Sequence, residues 1–391
     1  MTTSPSFSLR FHDYELMKRI YLDNNATTAI DARVLEAMLL ELSSLPSNPS
    51  AYHYFGQQAR QRLHQARETI AAFLKVQPRE IIFTSGGTES MNMLICGILD
   101  TQPRGHIITT SIEHSCVYNT LCRFEKRGWD LTFLPVGLLG AVHPEEVEAA
   151  LRPDTRLIAL SAVNSETGVK CDIDAIARIA QRAQVPFIVD AVAQLGKELF
   201  TIPQGVCGMG FSAHKLHGPK GAGFAFLRSS LKIAPLLTGG DQEFNMRAGT
   251  ENLPGIIGMA KAIEILHSEL PQATQHMALM RDRLENGLLV HADPVIINGM
   301  GPRIANTCNL SFPQTQGEDL LIALDMAGIA ISHGSACSSG ALEPSRVLTH
   351  MGIPHAIARS ALRFSVCRTT TEAEIDKCTQ AVAEIVSRDR R

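Results

Sequence analysis

Short apolar runs alternate with amphipathic helical segments between residues 80 and 227, and this alternation constrains the fold more than any other feature. Two of the helical segments are "PEEVEAALR" (144–152) and "DIDAIARIAQRA" (172–183). The apolar runs are "EIIFTS" (80–85), "GHIITTS" (105–111), "LTFLPV" (131–136), "RLIALSAV" (156–163), "PFIVDA" (186–191), "GMGFSA" (208–213) and "GAGFAFL" (221–227). Strands that alternate with helices form a mainly parallel sheet with helices on its faces. The sequence therefore predicts an α/β domain built on seven mainly parallel strands.

The order of helix and strand signals changes in the last quarter of the chain. A helical stretch that begins with "GTENLPGIIGMAKAIEILHSEL" (249–270) continues to about residue 290. The 391 residues allow two or three domains at roughly 150 residues each. We predict a large domain over residues 30–268 and a smaller α+β domain made of residues 1–29 and 269–391.

Composition excludes several classes of protein. The formal net charge is −3 and basic residues do not cluster, so no nucleic-acid partner is expected. No apolar run approaches the roughly 20 residues of a membrane span. The N-terminus is polar and unlike a signal peptide, so we expect a cytoplasmic protein. Nine cysteines without C-x-x-C spacing argue against a disulfide framework and a structural zinc site, and no metal is expected.

A glycine turn follows the first apolar run. "SGGTES" (85–90) places Gly86 and Gly87 before Thr88, where a helix is predicted to begin. The free N–H groups and the positive dipole end of a helix N-terminus can bind phosphate, and glycine lets the anion approach the backbone. The alternative is an ordinary strand-to-helix turn capped by Thr88.

Two further strand ends carry reactive side chains. Asp190 ends "PFIVD" and either caps the next turn or pairs with a buried cation. Lys215 follows "GMGFSA", where a desolvated lysine can form a Schiff base; the alternative is that Lys215 and Lys220 are two surface lysines. An anion site, a carboxylate and a lysine together meet the needs of pyridoxal 5′-phosphate for its phosphate, its pyridinium nitrogen and its aldehyde.

Ten ordered stretches from about residue 20 onward carry a resemblance to a known family. They are "YLDNNATT" (21–28), "SNPSAYHYFGQQAR" (47–60), "IIFTSGGTES" (81–90), "IEHSCV" (112–117), "VNSETGV" (163–169), "FIVDA" (187–191), "FSAHKLHGPKGAG" (211–223), "MRAGTEN" (246–252), "SHGSACSSGALEPS" (332–345) and "LRFS" (362–365). The chain resembles the NifS/IscS-like cysteine desulfurases of the class V aminotransferase group. The resemblance implies a fold type I transferase that uses pyridoxal 5′-phosphate.

The resemblance also implies roles for individual residues. Lys215 would hold the cofactor covalently and remove the Cα proton, and Asp190 would pair with the pyridinium. His114 would stack on the ring and assist proton transfer, although a histidine after a strand is more often structural. The phosphate would be held by Gly87, Thr88, Ser212 and His214, with Thr250 of a second subunit as a further donor. The alternative role of Thr250 is to cap the helix that follows it. Asn48 and Arg363 would bind the substrate carboxylate, unless Arg363 forms a structural ion pair.

Cys337 lies in a polar, glycine-containing segment and resembles the family's sulfur-accepting cysteine. The implied reaction converts L-cysteine to L-alanine and leaves a persulfide on Cys337, for iron–sulfur cluster assembly or other sulfur transfer. The implied partners are a sulfur-acceptor protein and a second copy of the chain in a homodimer. The competing interpretation of Cys337 is an incidental surface thiol.

Some positions depart from the family pattern. Ser165 stands where the family usually has asparagine, and Ala193 where it usually has glutamine, with Gln194 one step later. Phe244 and Asn245 replace the usual residues before "MRAGT". A selenocysteine lyase, a C–S lyase, a class V aminotransferase and a non-catalytic scaffold therefore remain alternatives at this point.

Overall fold

The computed structural model describes residues 19–44, 46, 48–334 and 344–391. Its strands are β1 (Ile20–Tyr21), β2 (Ile81–Thr84), β3 (His106–Thr110), β4 (Asp130–Leu134), β5 (Thr155–Ser161), β6 (Phe187–Asp190), β7 (Val206–Ser212), β8 (Gly223–Leu227), β9 (Ile296–Ile297), β10 (Thr307–Ser311), β11 (Ile329–Ala330) and β12 (Ala361–Ser365). Its α-helices are α1 (Ala32–Leu42), α2 (Tyr54–Leu74), α3 (Gly87–Leu99), α4 (Ser115–Glu125), α5 (Pro144–Ala149), α6 (Ile173–Ala183), α7 (Leu253–His291), α8 (Gly317–Met326), α9 (Arg346–His350), α10 (His355–Arg359) and α11 (Glu372–Asp389).

The apolar runs predicted as strands form one sheet, which in the described part of the chain has seven strands in the order β2-β8-β7-β6-β5-β3-β4. Strand β8 is antiparallel to both of its neighbours, and the other strand pairs are parallel. The predicted α/β class and the mainly parallel sheet are therefore confirmed, and the fold is that of fold type I transferases.

Helices cover both faces of this sheet. Every residue of β3, β6 and β8 is buried, as strands between two helical layers require. On one face α3 and α4 contribute Leu94, Val117 and Leu121 to a cluster with Ile107 and Ile188. On the other face lies a larger cluster of apolar residues from α2, α6 and the first half of α7.

Local sequence signals explain why these helices start and stop where they do. Asp172 caps α6 by accepting a hydrogen bond from the N–H of Ala175 at 2.9 Å. The buried residues of α6, Ile176, Ala177, Ile179 and Ala180, recur at helical spacing, so this helix packs one apolar stripe on the sheet. The predicted helical segments at 144–152 and 172–183 are confirmed as α5 and α6.

A second unit has its own core. Strands β12, β10 and β9 form an antiparallel sheet, and β1 pairs with β11. Apolar residues of these strands pack with α8, α11 and the second half of α7. This arrangement of antiparallel strands and helices is the α+β pattern predicted for the last quarter of the chain.

Helix α7 is continuous over 39 residues and belongs to both units. Its buried residues up to Leu270 pack in the larger cluster, and those from Ala273 onward pack in the smaller one. The predicted division at residue 268 falls inside this helix, and the domain boundaries stay a prediction.

None of the helices described between residues 19 and 391 is both long and apolar enough to span a membrane.

Candidate active site

The site residues predicted at strand ends meet at one edge of the seven-stranded sheet. Parallel strands end at the same edge, and ligands of open α/β sheets bind there. A cavity of about 300 Å³ lies at this edge. Of the predicted site residues, those that line it are Gly87, Thr88, His114, Asp190, Ser212, His214, Lys215 and Arg363.

The N-terminus of α3 opens into this cavity. Gly86 is the N-cap and has φ 156° and ψ −177°, a conformation that residues other than glycine essentially never adopt. A Cβ atom on Gly87 would lie 2.5 Å from Val192, so a side chain at this position would collide with the neighbouring loop. Thr88 is inside the helix, and the interpretation of Thr88 as a cap is wrong. The first N–H groups of a helix have no partner within it, so this end can bind an anion.

Two buried side chains flank that helix end. Asp190 is 6% exposed at the end of β6, and its Oδ1 accepts a hydrogen bond from the N–H of Val192 at 3.0 Å. Ser212, at the end of β7, is 5% exposed. Asp190 therefore stabilises its own turn, as the capping interpretation required, and also presents a carboxylate to the cavity.

The turn that carries Lys215 is fixed by backbone contacts. The carbonyl oxygen of His214 accepts hydrogen bonds from the N–H and the hydroxyl of Thr28, both at 2.9 Å. The carbonyl oxygen of Lys215 accepts one from Nζ of Lys197 at 2.9 Å. Burial lowers the pKa of Lys197 to about 8. Burial also lowers the pKa of His214 to about 4, and the positive charge of Lys215 adds to that shift. These contacts position the Lys215 side chain at the cavity.

His114 both caps a helix and lines the cavity. It is the N-cap of α4, and its Nδ1 accepts a hydrogen bond from the N–H of Cys116 at 3.2 Å. It also lines the cavity beside Asp190 and Lys215. Burial lowers the pKa of His114, Asp190 opposes that shift, and the charges of Lys215 and Arg346 add to it. Burial and these cations therefore favour the neutral imidazole.

Arg363 is almost fully buried and forms the ion pair considered as an alternative. Its Nη2 lies 2.6 Å from Oδ1 of Asp23, and its Nη1 donates to the carbonyl oxygen of Ser165 at 3.2 Å. Its Nε, also buried, makes no hydrogen bond to the described residues. The ion pair and a place in the cavity wall thus coexist in one residue.

Three predicted residues lie elsewhere. Asn48 is exposed, and its Oδ1 accepts from the N–H of Ser50 at 2.9 Å, which forms a local turn. Thr250 is exposed and outside the cavity of its own chain, and the helix after it is capped by Asn252, so Thr250 is not the cap. Cys337 lies outside the described residues.

The cavity also contains charged residues that the sequence did not single out. Glu113 is fully buried and receives hydrogen bonds from the hydroxyls of Thr110 at 2.6 Å and Ser161 at 2.5 Å. Burial raises the pKa of Glu113 to about 7. Arg346 donates to the carbonyl oxygens of Ser111 and Glu113 and lies 4.2 Å from the ring centre of Tyr118. The sequence feature that could have indicated a functional role for Glu113 is its position just after a strand.

The positions that depart from the family pattern fall in two places. Ser165 and Ala193 line the cavity, whereas Gln194 donates to Glu198 at 3.2 Å and is not part of the lining. Glu243, Phe244 and Asn245 all have positive φ, at 47°, 59° and 66°. Asparagine tolerates this conformation better than phenylalanine does, so contacts with the rest of the protein must stabilise the backbone of this segment.

Side chains of His114, Cys116 and Asp190 bring possible ligand atoms within 4.8 Å of one another. The cations Lys215, Arg346 and Arg363 line the same cavity and oppose a divalent metal ion there. We assign no metal to this cluster.

The donor set fits pyridoxal 5′-phosphate. A helix N-terminus and the Ser212 hydroxyl suit a phosphate, and the buried carboxylate of Asp190 suits a pyridinium nitrogen. Lys215 supplies an amine at the same cavity, and the guanidinium of Arg363 in the cavity wall suits a carboxylate. Nothing in the described lining conflicts with this cofactor.

Fold and site together define a class of protein, the fold type I enzymes that carry a lysine at the carboxyl edge of a mainly parallel sheet. The chain matches the family described as aminotransferase class-V over residues 20–378, and it belongs to that family. It is 45% identical to cysteine desulfurase 2 of Trichormus variabilis over 377 residues, 96% of this chain and 94% of the relative.

Solved structures agree with this assignment. A NifS-like protein superposes with a TM-score of 0.88 at 37% identity, covering 94% of this chain and 99% of that one. A structure described as SspA in complex with cysteine superposes with a TM-score of 0.80 at 33% identity, covering 90% of this chain and all of that one. The family as a whole depends on pyridoxal 5′-phosphate.

Proposed function

We propose that the protein is a cysteine desulfurase that binds pyridoxal 5′-phosphate, converts L-cysteine to L-alanine, and passes the sulfur to Cys337 as a persulfide. The observation that carries the proposal is the meeting of Lys215, Asp190 and the N-terminus of α3 in one cavity. Relatives named cysteine desulfurase, at 40% to 45% identity over at least 95% of the chain, support the same function.

Each part of the cavity has a proposed role toward the cofactor. Gly87, Thr88, Ser212 and His214 bind the phosphate, and Asp190 pairs with the ring nitrogen. When bound, the cofactor supplies an aldehyde that captures amines and a ring that withdraws electrons from the attached carbon atoms. Lys215 holds that aldehyde between turnovers and moves the proton at the substrate Cα.

The substrate's own groups have proposed partners too. Arg363 binds the carboxylate of L-cysteine from the cavity wall, while Asp23 and Ser165 each hold one of its terminal nitrogens. Asn48 stays a predicted substrate residue that lies outside the cavity of its own chain. The segment that contains Cys337 rejoins the described chain at Pro344. Two residues later Arg346 lines the cavity, so the described chain reaches the site directly after this segment.

The physiological setting is proposed from the same relatives. The persulfide sulfur would pass to an acceptor protein for iron–sulfur cluster assembly or another thiolation reaction. The cytoplasmic location stays a prediction.

Replacing the sulfur acceptor tests the reaction directly. With L-cysteine, the unmutated protein is expected to form alanine and protein-bound persulfide, measured together by amino-acid analysis and persulfide labelling. Cys337→Ser is expected to retain the bound cofactor and lose persulfide formation, because the thiol acts on the substrate sulfur and not on the cofactor.

The matched control is Cys122→Ser, a partly buried thiol on α4 outside the cavity, which should leave both products unchanged. Undiminished persulfide in Cys337→Ser would remove Cys337 from the reaction. Absence of alanine from the unmutated, cofactor-loaded protein, with turnover of another amino acid, would favour a related enzyme of the family.

A homodimer with shared cofactor sites is the proposed active unit. Thr250 is exposed next to Gly249, whose φ of 99° turns the chain sharply before α7. Large apolar side chains are also exposed on the single chain, among them Leu40 (67%), Tyr52 (88%) and Phe244 (51%). Their burial in a dimer would account for this exposure.

Thr250→Val is therefore expected to weaken cofactor binding about tenfold or more, since a hydrogen bond to a charged group is lost. Exposed Thr101, whose hydroxyl donates to the carbonyl oxygen of Ile98 at 2.8 Å, supplies the control Thr101→Val, which should leave mass and cofactor binding unchanged. Sedimentation of diluted protein, followed at the cofactor's absorbance, measures mass and cofactor together. A monomer that retains its cofactor with full affinity would contradict the shared site.

A further inference from the structure

Two polar groups of one residue, a backbone N–H and a thiol, converge on a single nitrogen of His114. The backbone N–H of Cys116 lies 3.2 Å from Nδ1, and the Sγ atom of Cys116 lies 3.0 Å from the same Nδ1. Both residues line the cavity. The amide contact is part of the N-cap of α4, so it is built into the fold.

The amide decides which nitrogen carries the proton. A backbone N–H can only donate, so Nδ1 must offer its lone pair and cannot hold a proton of its own. The thiol at 3.0 Å must then donate as well, because an unprotonated nitrogen can only accept. The proton of the neutral imidazole is therefore on Nε2.

The surroundings keep both groups in these forms. Burial raises the pKa of the Cys116 thiol, and the nearby Asp190 raises it further, so the thiol stays protonated. The charged groups that face His114 are Asp190 on β6, Lys215 on the turn after β7, and Arg346 at the start of α9. A thiol in this form is a donor, which argues against Cys116 as a second sulfur-accepting nucleophile.

We infer that Cys116 is a positioning residue whose thiol, together with its own amide, holds His114 in the Nε2–H tautomer at the substrate cavity. The inference rests on the proposed function only where it concerns turnover, since the tautomer itself is a property of the chain. Any proton that His114 exchanges during the reaction is then exchanged at Nε2.

The sign of the thiol's effect follows from the geometry. Protonation of Nδ1 would abolish the amide hydrogen bond and would leave the thiol sulfur as only a weak acceptor, so each donor stabilises the neutral ring and lowers the pKa of His114. Cys116→Ala removes one donor and should raise this pKa by about half a unit, as expected for one weak neutral hydrogen bond. Cys116→Ser keeps a donor in place and should restore most of the shift.

The experiment is ¹⁵N NMR of histidine-labelled, cofactor-loaded protein between pH 5 and 9, with His114→Gln to assign the signals. We expect an unprotonated Nδ1 and a protonated Nε2 in the unmutated protein at pH 7. The pH profile of alanine formation should move in the same direction as the His114 titration in Cys116→Ala. Cys122→Ala, on the same helix but outside the cavity, is the control and should leave both unchanged.

Each result decides the inference. A proton on Nδ1 at pH 7 in the unmutated protein would overturn it, and so would identical His114 titrations in the unmutated protein and Cys116→Ala. An equal shift in Cys116→Ala and Cys116→Ser would assign the effect to the loss of the thiol's bulk and would also overturn it. If no alanine forms from cysteine but the NMR result holds, the proposed function fails and the tautomer assignment stands.

Discussion

Lys215→Ala is expected to give a colourless protein with no cysteine desulfurase activity. The amine at this position is the proposed covalent attachment of the cofactor and the base for the substrate Cα proton, so both functions disappear at once. Loss of a positioned acid–base group alone lowers rates by roughly 10²- to 10⁴-fold. Absorbance above 400 nm and alanine formation from L-cysteine measure the two effects.

Lys220→Ala is the matched control. Lys220 is exposed on the same loop, five residues further along, and it does not line the cavity. It should keep the colour and the activity. A colourless Lys220→Ala with a coloured Lys215→Ala would reverse the assignment. The fixed carbonyl groups of His214 and Lys215 are the structural reason to expect the first result.

Arg67→Met is expected to destabilise the protein by about 3–5 kcal/mol, because it leaves the charge of Glu243 buried without a partner. The two side chains are 7% and 1% exposed, and their closest atoms, Nη2 and Oε1, lie 2.6 Å apart. Glu243 also accepts a hydrogen bond from the N–H of Phe83 at 2.7 Å. Urea unfolding measures the change in the free energy of unfolding.

An exposed ion pair supplies the comparison. Arg182 and Glu148 are 63% and 57% exposed at 2.8 Å, and Arg182→Met should cost about 1 kcal/mol or less. The double variant Arg67→Met/Glu243→Gln should recover part of the loss, since no buried charge remains. Equal costs for Arg67→Met and Arg182→Met would contradict the role assigned to the buried pair.

The Arg67–Glu243 pair also supports the segment before Thr250. Glu243 is the first of three consecutive residues with positive φ. The guanidinium carbon of Arg67 lies 5.0 Å from the centre of the Phe244 ring. The pair therefore stabilises an unusual backbone just before the loop proposed to reach a second subunit. Arg67→Met should for this reason weaken the proposed dimer as well as the fold.

The sheet was predictable from the sequence because its strands are buried on both faces. A strand such as Phe187–Asp190 must be apolar throughout, and it therefore stands out between polar helical segments. The meeting of Asp190 and Lys215 at one cavity was predictable for a related reason: the carboxyl ends of parallel strands share one edge, so polar residues that follow different strands are brought together.

The start of a helix was predictable from the sequence only where one residue clearly suits the N-cap position. Asp172 begins α6 as its residue type suggests. At α7 the cap is Asn252, whose Oδ1 accepts from the N–H of Gly255 at 3.2 Å, and not Thr250, the residue considered from the sequence. The choice depends on the turn at Gly249, which local sequence does not fix.

Contacts between distant segments were decided only by the tertiary structure. Arg346 reaches the carbonyl oxygen of Glu113, 233 residues earlier, and Lys197 reaches that of Lys215 through a turn that packs both segments together. The tautomer of His114 likewise depends on the thiol and amide of Cys116 meeting one nitrogen. The residue types and their order determine which side chains follow the strands. The packing of helices and loops around the sheet determines which of those side chains touch. These contacts in turn determine the charge of each group and the position of its proton.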